Sequence, residues 1–300
     1  MSKTQNTETQ KSHEQAKIFV EFINFTAGKS GFSERLIEKD YFCTLLLDFL
    51  NRHSDGGLIF KGGTSLAKVF FDFYRVSEDL DFIIPMPVTA KQKERSSRVG
   101  NLKNAVGALP QDLPVFHVAD GLKGANSSRQ YLASIGYTSL LDGHPETITL
   151  EIGLREPILL PAVRGRAKTM LLNATNSQPV IVPLEFECLS LKEALAEKFR
   201  AALSRREVAI RDFYDIEYAD SRKLINFDEP DFITMVQKKL AIPENDPPNS
   251  SDERLGPLEG QLENRLKPVL RITDYTAFNL NRAVAIVKRV HDKLNHIDRT

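Results

Sequence analysis

Two short segments of the chain carry residues that could bind a metal ion and a triphosphate. Gly62 and Gly63 follow an apolar run at a predicted strand-to-helix turn, where glycine avoids Cβ crowding and backbone N–H groups suit a phosphate. Farther along, Asp79 and Asp81 alternate with leucine and phenylalanine. A strand there would bury the apolar side chains and present both carboxylates on the opposite face, where they could hold Mg²⁺ against a triphosphate.

Each segment alone is a weak signal. A glycine pair is usually only a turn, and an Asp-x-Asp is more often a solvated strand face or a loop. The combination is more specific, because Thr64 and Ser65 extend the turn and the stretch between the two segments carries the cations Lys68 and Arg75.

A third carboxylate is expected on a neighbouring strand, since two-metal phosphoryl transfer usually needs one beside the Asp-x-Asp pair. In the predicted strand over residues 147–154 the apolar residues alternate, and Glu151 lies on the other face. Glu185 satisfies the same pattern on a later strand and is the alternative.

A lysine on a predicted helix that starts near Ser190 interrupts an apolar stripe. Lys198 lies seven residues beyond Leu191, inside the arc that should face inward. It could reach triphosphate oxygens, or it could be a lysine that snorkels to solvent. Farther on, Asp212 and Asp215 share one helical face, which by itself also fits acids at a helix start or ion pairs within a helix.

These residues together resemble the bacterial AbiEii/AbiGii family of nucleotidyltransferase-like toxins, whose first pattern reads GGT, a helix, then R-x-S-x-D-x-D. The matching residues are Gly62, Gly63, Thr64, Arg75, Ser77, Asp79 and Asp81. A second family pattern, AEK followed by R and then RD-x-x-D, is matched at residues 196–198, at Arg205 or Arg206, and at residues 211–215. Residues 37–41 are similar to the family's N-terminal signature, and the resemblance favours Glu151 over Glu185.

The resemblance implies an enzyme that transfers a nucleotide from an NTP to an acceptor hydroxyl and releases pyrophosphate. The ligands of Mg²⁺ would be Asp79, Asp81 and Glu151. Lys198 would neutralise charge in the transition state, and Asp212 would bind the nucleotide or orient Lys198. The residues expected to bind the phosphates are Gly62, Gly63, Thr64, Ser65, Lys68 and Arg75.

The resemblance also implies a biological role. The family includes the MenT-type tRNA nucleotidyltransferases, so the expected activity is transfer to the 3′ end of tRNA, which blocks translation, under the control of a cognate antitoxin encoded nearby. A phosphate added to Ser77, two residues from Asp79, would repel the triphosphate. A purely local hydrogen bond of Ser77 is the alternative.

The order of predicted elements gives an α+β fold that changes class near Cys188. Two helices come first, over residues 14–26 and 33–52, and a helix is predicted near residues 89–108. The predicted strands are residues 58–60, the Asp-x-Asp segment, 113–117, 130–137, 147–154, 167–172 and 180–186. Nearly everything after Leu189 reads as helix. We therefore expect a polymerase-β-like nucleotidyltransferase core with a mixed sheet over residues 1–188, and a helical bundle over residues 189–300 that closes the active-site cleft.

Composition limits the alternatives without choosing among them. Of the 300 residues, 40 are basic and 40 acidic, so no net charge would draw the chain onto nucleic acid, and RNA contacts must come from local basic patches. Cys43 and Cys188 lie in apolar contexts and are expected to be buried thiols in a reducing cytoplasm. No apolar run suits a membrane span, and the polar first fifteen residues read as a frayed tail.

Two other functions fit the same residues. A catalytically idle member of the fold could bind nucleotide or RNA, although retention of Asp79, Asp81 and Lys198 argues against it. Alternatively, the chemistry could be the same and the acceptor a protein or small-molecule hydroxyl. No residue selects the base of the NTP.

Overall fold

The computed structural model describes residues 12–54 and 56–297, apart from the side chain of the last residue. Residues 1–11, most of the predicted frayed tail, lie outside the described residues. Contacts divide the chain into two compact units. The first runs to Ile158 and resumes over Ala162–Leu189, and the second comprises Leu159–Pro161 and the chain from Ser190 onward.

The first unit combines helices with one mixed sheet. Its α-helices are α1 (Ala16–Ser30), α2 (Glu34–His53), α3 (Gly62–Ser65), α4 (Gln92–Arg98) and α5 (Gly100–Asp112), and a π-helical turn (Leu66–Phe70) extends α3. Its strands are β1 (Ile59–Lys61), β2 (Leu80–Ile83), β3 (Phe116–Ala125), β4 (Gln130–Thr138), β5 (Pro145–Gly153), β6 (Val163–Ala167) and β7 (Leu184–Cys188).

The strands of the described chain form a seven-stranded sheet in the order β3-β4-β5-β2-β1-β7-β6. The β2–β5 and β1–β7 pairs are parallel, and the other pairs are antiparallel. Phe60, Phe82 and Ile152 are paired across the three central strands and are fully buried, so one face of the sheet is the core. The predicted mixed sheet in an α+β core is confirmed.

Helix α2 is buried almost throughout, including three consecutive charged residues, Glu38, Lys39 and Asp40. Each holds a different segment. Glu38 accepts a hydrogen bond from the Leu140 N–H (2.7 Å), Asp40 accepts one from the Met170 N–H (2.8 Å), and Lys39 pairs with a β5 glutamate (2.8 Å). The segment 37–41 therefore anchors three parts of the chain to α2, namely the residues after β4, the start of β5 and the residues after β6.

The second unit is helical, as predicted for the chain after Leu189. Its α-helices are α6 (Leu191–Ser204), α7 (Ile210–Ser221), α8 (Pro230–Leu240), α9 (Asp252–Leu255), α10 (Ile272–Ala277) and α11 (Leu280–Ile297). Ser190 caps α6 by accepting a hydrogen bond from the Glu193 N–H. The rings of Phe199, Phe227 and Phe232 pack against one another, with centroids 4.8–5.5 Å apart, and form an aromatic centre for this core.

Two predicted strands are displaced along the chain. The strand predicted over residues 180–186 is β7, which begins only after Pro183, because proline cannot donate a ladder hydrogen bond. The strand predicted over residues 167–172 is β6, which ends at Ala167. The following backbone leaves the sheet, since the N–H of Lys168 donates to the Lys68 carbonyl.

Two other elements differ from the prediction. The helix expected over residues 89–108 is two helices, α4 and α5, which meet at Val99. The strand expected over residues 113–117 is β3, which continues to Ala125. Its alanine, aspartate and glycine residues are poor strand formers, and its pairing is interrupted by register shifts on both sides of Asp120.

Candidate active site

The two strand carboxylates of the predicted metal site lie on one face of the sheet. The parallel register of β2 and β5 places Asp81 directly opposite Glu151. Both residues lie on the face opposite to the buried Phe82 and Ile152, as the alternation predicted. Strand β2 begins at Leu80, so Asp79 immediately precedes the strand.

Two of these acidic groups have no partner in the described part of the chain. Neither the Glu151 carboxylate nor that of Asp79 takes part in an ion pair or a hydrogen bond there, and only the Asp79 backbone carbonyl is bonded, to the Thr64 hydroxyl. Within the described residues, no group of three or more His, Cys, Asp or Glu side chains could by itself hold a metal ion. The donor oxygens are therefore present without a complete protein cage.

The glycine pair lies against the aspartates, and both positions require glycine. Gly62 has a φ of +74°, and a Cβ there would lie 2.1 Å from Oδ2 of Asp81. A Cβ on Gly63 would lie 2.4 Å from Nη2 of Arg75 and 2.9 Å from Oγ of Ser77. The GGT and R-x-S-x-D-x-D segments thus pack directly against each other, and any side chain on the glycines would displace the second segment.

The other residues predicted to bind phosphate point into the interior. Lys68 is 1% exposed, and its ammonium contacts the Asp40 carboxylate and the Thr44 hydroxyl (2.7 Å). Arg75 is 2% exposed and donates to a backbone carbonyl. The Ser65 hydroxyl hydrogen-bonds the buried Cys188 thiol, whose pKa burial raises to about 12. These side chains support the turn from behind.

Both cysteines are buried free thiols, as predicted. Burial also raises the pKa of Cys43 to about 12, so neither thiol ionises readily.

The sheet register separates Glu151 from Glu185. Phe60 pairs with Cys188, the last residue of β7, so the residue level with Lys61 and Asp81 is Leu189, just after that strand. Glu185 is four residues before that position, roughly 13 Å along the strand. Its carboxylate pairs with Arg164, and both side chains are exposed. Glu151 is therefore the strand carboxylate adjacent to Asp81.

In the second unit, Lys198 of α6 is held by two aspartates of α7. Its ammonium lies 2.8 Å from Oδ1 of Asp212 and 2.9 Å from Oδ2 of Asp215. Of the two arginines that could match the family pattern, Arg205 contacts Asp212, at 3.3 Å. Asp215 is fully buried. The sequence placed the two aspartates on one face but left the role of Asp215 open, and the structure makes it a direct partner of Lys198.

A second cluster of one lysine and two acidic residues also involves α6, and none of its residues was predicted to belong to the site. Lys239 of α8 is fully buried and lies 2.7 Å from Glu193 and 3.1 Å from Glu197. The two oxygens of Glu193 also accept hydrogen bonds from the backbone N–H groups of Leu159 and Leu160 (2.8 and 2.9 Å). This cluster fixes the segment Leu159–Pro161 on the second unit. Only the unusual burial of Lys239, which a sequence does not display, distinguishes it from a surface ion pair.

The mixed sheet, the glycine turn packed on an Asp-x-Asp segment and the opposed Glu151 are the features of a nucleotidyltransferase. Comparison with protein families agrees, since residues 44–285 match the model of the nucleotidyl transferase AbiEii toxin, type IV toxin–antitoxin system. The chain belongs to the AbiEii family. It is therefore a nucleotidyltransferase toxin, and its family implies an NTP substrate and an antitoxin partner.

Two solved structures are similar to the chain. JHP933 from Helicobacter pylori is 15% identical, with a TM-score of 0.50 over 89% of this chain and 97% of that one, and it supports the fold. A second H. pylori protein, described provisionally as a nucleotidyltransferase, is 14% identical, with a TM-score of 0.48 over 85% of this chain and 95% of that one. No curated protein matches the chain significantly. Among the described helices, none is long and apolar enough to cross a membrane.

Proposed function

We propose that the chain transfers a nucleoside monophosphate from an NTP to the 3′ end of tRNA in a Mg²⁺-dependent reaction in the cytoplasm, and so blocks translation until a cognate antitoxin neutralises it. The observation that carries this proposal is the pairing of Asp81 with Glu151 across adjacent parallel strands, with Gly62 packed on Asp81. Family membership supports the reaction class. The acceptor, the metal and the location are the proposed parts.

The donor set fits Mg²⁺. Asp79, Asp81 and Glu151 offer only oxygen ligands, which this hard cation prefers. Magnesium is usually held by one or two carboxylates together with substrate phosphates, so a site without a complete protein cage suits it. When bound, the metal would neutralise phosphate charge and activate the acceptor hydroxyl.

The glycine turn would bind the triphosphate through its backbone. Gly62 and Gly63 carry no Cβ and adjoin Asp81, so a phosphate could approach the main chain there. We assign Thr64, Ser65, Lys68 and Arg75 to positioning this turn, because their side chains are buried behind it.

Lys198 would supply positive charge to the reacting phosphates. Its contacts with Asp212 and Asp215 fix the position of its ammonium group. In this role Asp212 and Asp215 are positioning residues. A Lys198→Arg variant keeps the charge but cannot reproduce both contacts of a compact ammonium, so it should retain only part of the activity.

The test is incorporation of label from each of the four NTPs into total tRNA by the purified protein, with and without EDTA. We expect labelling by at least one NTP that EDTA abolishes, and about 10³-fold less with Asp79→Ala or Lys198→Ala. Mass spectrometry of the RNA should show the added nucleotide at the 3′ end. Labelling by both variants at the wild-type level, or label on protein only, would contradict the proposal.

The antitoxin part is tested separately. Expression of the wild-type chain should arrest growth, whereas Asp81→Asn should not, and co-expression of the product of the adjacent gene should restore growth. Arrest by both forms would show that toxicity does not depend on the transferase site.

A further inference from the structure

One cavity of the second unit is lined by charged side chains that the proposed chemistry does not use. It lies between the loop that joins α6 to α7 and the segment from Asn249 to Arg265, and its volume is about 800 Å³. This is within the range of sites that bind small molecules or parts of larger ligands. The loop begins at Arg205, so one wall of the cavity adjoins the Lys198–Asp212–Asp215 cluster along the chain.

Most of the charges in this cavity are unpaired. Arg206 and Arg265 have no ion-pair or hydrogen-bond partner within residues 12–54 and 56–297, and the same holds for Glu207 and Glu253. Four other arginines of the unit are ion-paired, namely Arg205, Arg271, Arg282 and Arg289. Two cations and two anions that share one cavity without pairing suggest a ligand with both kinds of complementary group.

The walls of the cavity are held in place. Arg254, the third arginine, donates from Nη2 to the Arg205 carbonyl (2.7 Å) and from Nη1 to the Asn249 carbonyl (3.2 Å). Gln261 accepts a hydrogen bond from the Ile210 N–H (3.0 Å) and donates one to the Val208 carbonyl (2.9 Å). These bonds fix the loop on one side and the 249–265 segment on the other, so the site is preorganised.

The side chains define a ligand class. Guanidinium groups match phosphate oxygens in a bidentate fork. Carboxylates accept hydrogen bonds from ribose hydroxyls, a contact that DNA cannot make at the 2′ position. Glu207 and Glu253 would repel an acidic protein surface, whereas a phosphate with an adjoining ribose satisfies both the arginines and the glutamates. The combination favours RNA.

We propose that this cavity binds a phosphoribose unit of the RNA acceptor, with Arg206 and Arg265 on the phosphate and Glu207 and Glu253 on the ribose. The inference rests on the proposed function, because it assumes an RNA acceptor, and it adds a site remote in sequence from the metal ligands. It also divides the double arginine at the end of α6 between two tasks. Arg205 holds Asp212, and Arg206 faces the acceptor.

The first test measures binding without turnover. A fluorescently labelled tRNA transcript is titrated with the full-length chain, without NTP, at several salt concentrations. Compared with the wild type, Arg206→Ala/Arg265→Ala should bind at least about 10-fold more weakly, with a log–log salt slope smaller by about 2. Both arginines are exposed and make no ion pair or hydrogen bond with other described residues, so thermal melting should be unchanged.

The matched control is Lys223→Ala/Lys238→Ala. It removes the same two charges from exposed positions of the second unit outside the cavity, where neither lysine has a partner among the described residues. Its affinity for tRNA should stay within about twofold of the wild type, as expected for charges that contact no phosphate.

The second test addresses the ribose. We expect the wild type to prefer a single-stranded RNA over DNA of the same sequence, and Glu207→Gln/Glu253→Gln to lose that preference through weaker RNA binding. If the substitutions instead strengthen binding of RNA and DNA equally, the glutamates only repel phosphate and the ribose assignment is wrong.

The outcomes separate this inference from the proposed function. If the wild type binds no RNA, the proposed acceptor is wrong and the inference falls with it. If the wild type binds tRNA and Arg206→Ala/Arg265→Ala binds it equally well with the same salt slope, the cavity is not an RNA site although the proposed function stands. Loss of antitoxin binding alone in that variant would overturn the inference in favour of a protein interface.

Discussion

On the sheet of the first unit, Asp79 and Glu151 keep carboxylates without a partner among the described residues, whereas in the second unit Lys198 meets two aspartates and Lys239 meets two glutamates. Buried ionic groups need partners, since removal of one partner leaves an uncompensated charge. Glu151 lies directly opposite another carboxylate, Asp81, on the adjacent strand, and like charges in that position do not favour folding. This difference fits the proposed roles, in which the sheet carboxylates bind the metal, Asp212 and Asp215 position Lys198, and the Lys239 cluster is structural.

The largest expected effect tests whether the sheet carboxylates are functional. Glu151→Gln should lower nucleotide transfer by about 10³-fold or more, because it removes a proposed metal ligand, and should leave the unfolding midpoint unchanged. Glu185→Gln is the matched control, since Glu185 is exposed and lies away from Asp81 along the sheet. Its activity should stay within twofold, and equal losses in the two variants would remove the distinction drawn from strand register.

The next prediction tests whether a buried ion pair, that of Lys68 and Asp40, stabilises the fold. Lys68→Met should lower the free energy of unfolding by about 3–5 kcal/mol, because it removes the cationic partner of the buried Asp40 carboxyl group. The control, Lys168→Met, breaks an exposed pair with Asp72 and should cost at most about 1 kcal/mol. Urea unfolding followed by circular dichroism measures both. A stable Lys68→Met protein that has lost only activity would restore Lys68 as a phosphate ligand.

A smaller effect probes the contact between the glycine turn and Asp81. Gly62→Ala should lower activity about 100-fold, because its Cβ would displace the Asp81 carboxylate by an ångström or more. The positive φ adds about 1–2 kcal/mol of strain. Gly107→Ala, in a helix with open space around the glycine, should leave activity unchanged and slightly raise stability. Full activity of Gly62→Ala would show that Asp81 tolerates movement.

The smallest effect concerns the buried carboxyl of Glu38, which lies near the acidic side chains of Asp142 and Glu146. Burial raises the pKa of Glu38 above its usual value of 4.5, against hydrogen bonds from Ser139 and Leu140 that lower it. The folded state therefore binds this proton more tightly than the unfolded state, and the resulting stability is present below about pH 4.5 and lost as the pH rises through the raised pKa.

Urea unfolding between pH 4 and pH 8 measures this dependence. The stability of the wild type relative to Glu38→Gln should fall with rising pH, whereas Glu34→Gln, an exposed substitution in the first turn of the same helix, should run parallel to the wild type. If the unfolding free energies of Glu38→Gln and the wild type change with pH in the same way, the pKa of Glu38 is not raised in the folded state.

The sequence predicted the elements whose residues repeat with a clear period. Strand β5 alternates cleanly around Glu151, and α6 begins at a serine cap, so both were placed within two residues. The glycine turn and the Asp-x-Asp segment were recognised because their residue types are chemically unusual together.

The sequence could not predict which strands become neighbours or which distant side chains pair with each other. Strand register selects Glu151 over Glu185, and register depends on which strands become neighbours. The inward direction of Lys68 depends on a buried partner more than twenty residues away, Asp40, and a cation beside a glycine turn does not reveal such a partner in the sequence. The extent of β3 was missed because tertiary pairing overrides the weak strand propensity of its residues.

The segment Leu159–Pro161 has a consequence for dissecting the gene. This segment belongs to the second unit, and Glu193 accepts hydrogen bonds from the N–H groups of Leu159 and Leu160. The chain therefore passes from one unit to the other at three points, and no single cut separates the two units. A truncated chain that stops at Leu189 carries this segment without its acceptor, and one that starts at Ser190 leaves the Glu193 carboxylate with fewer donors beside Lys239. Natural recombination faces the same constraint, so the two units should be inherited together as one indivisible piece.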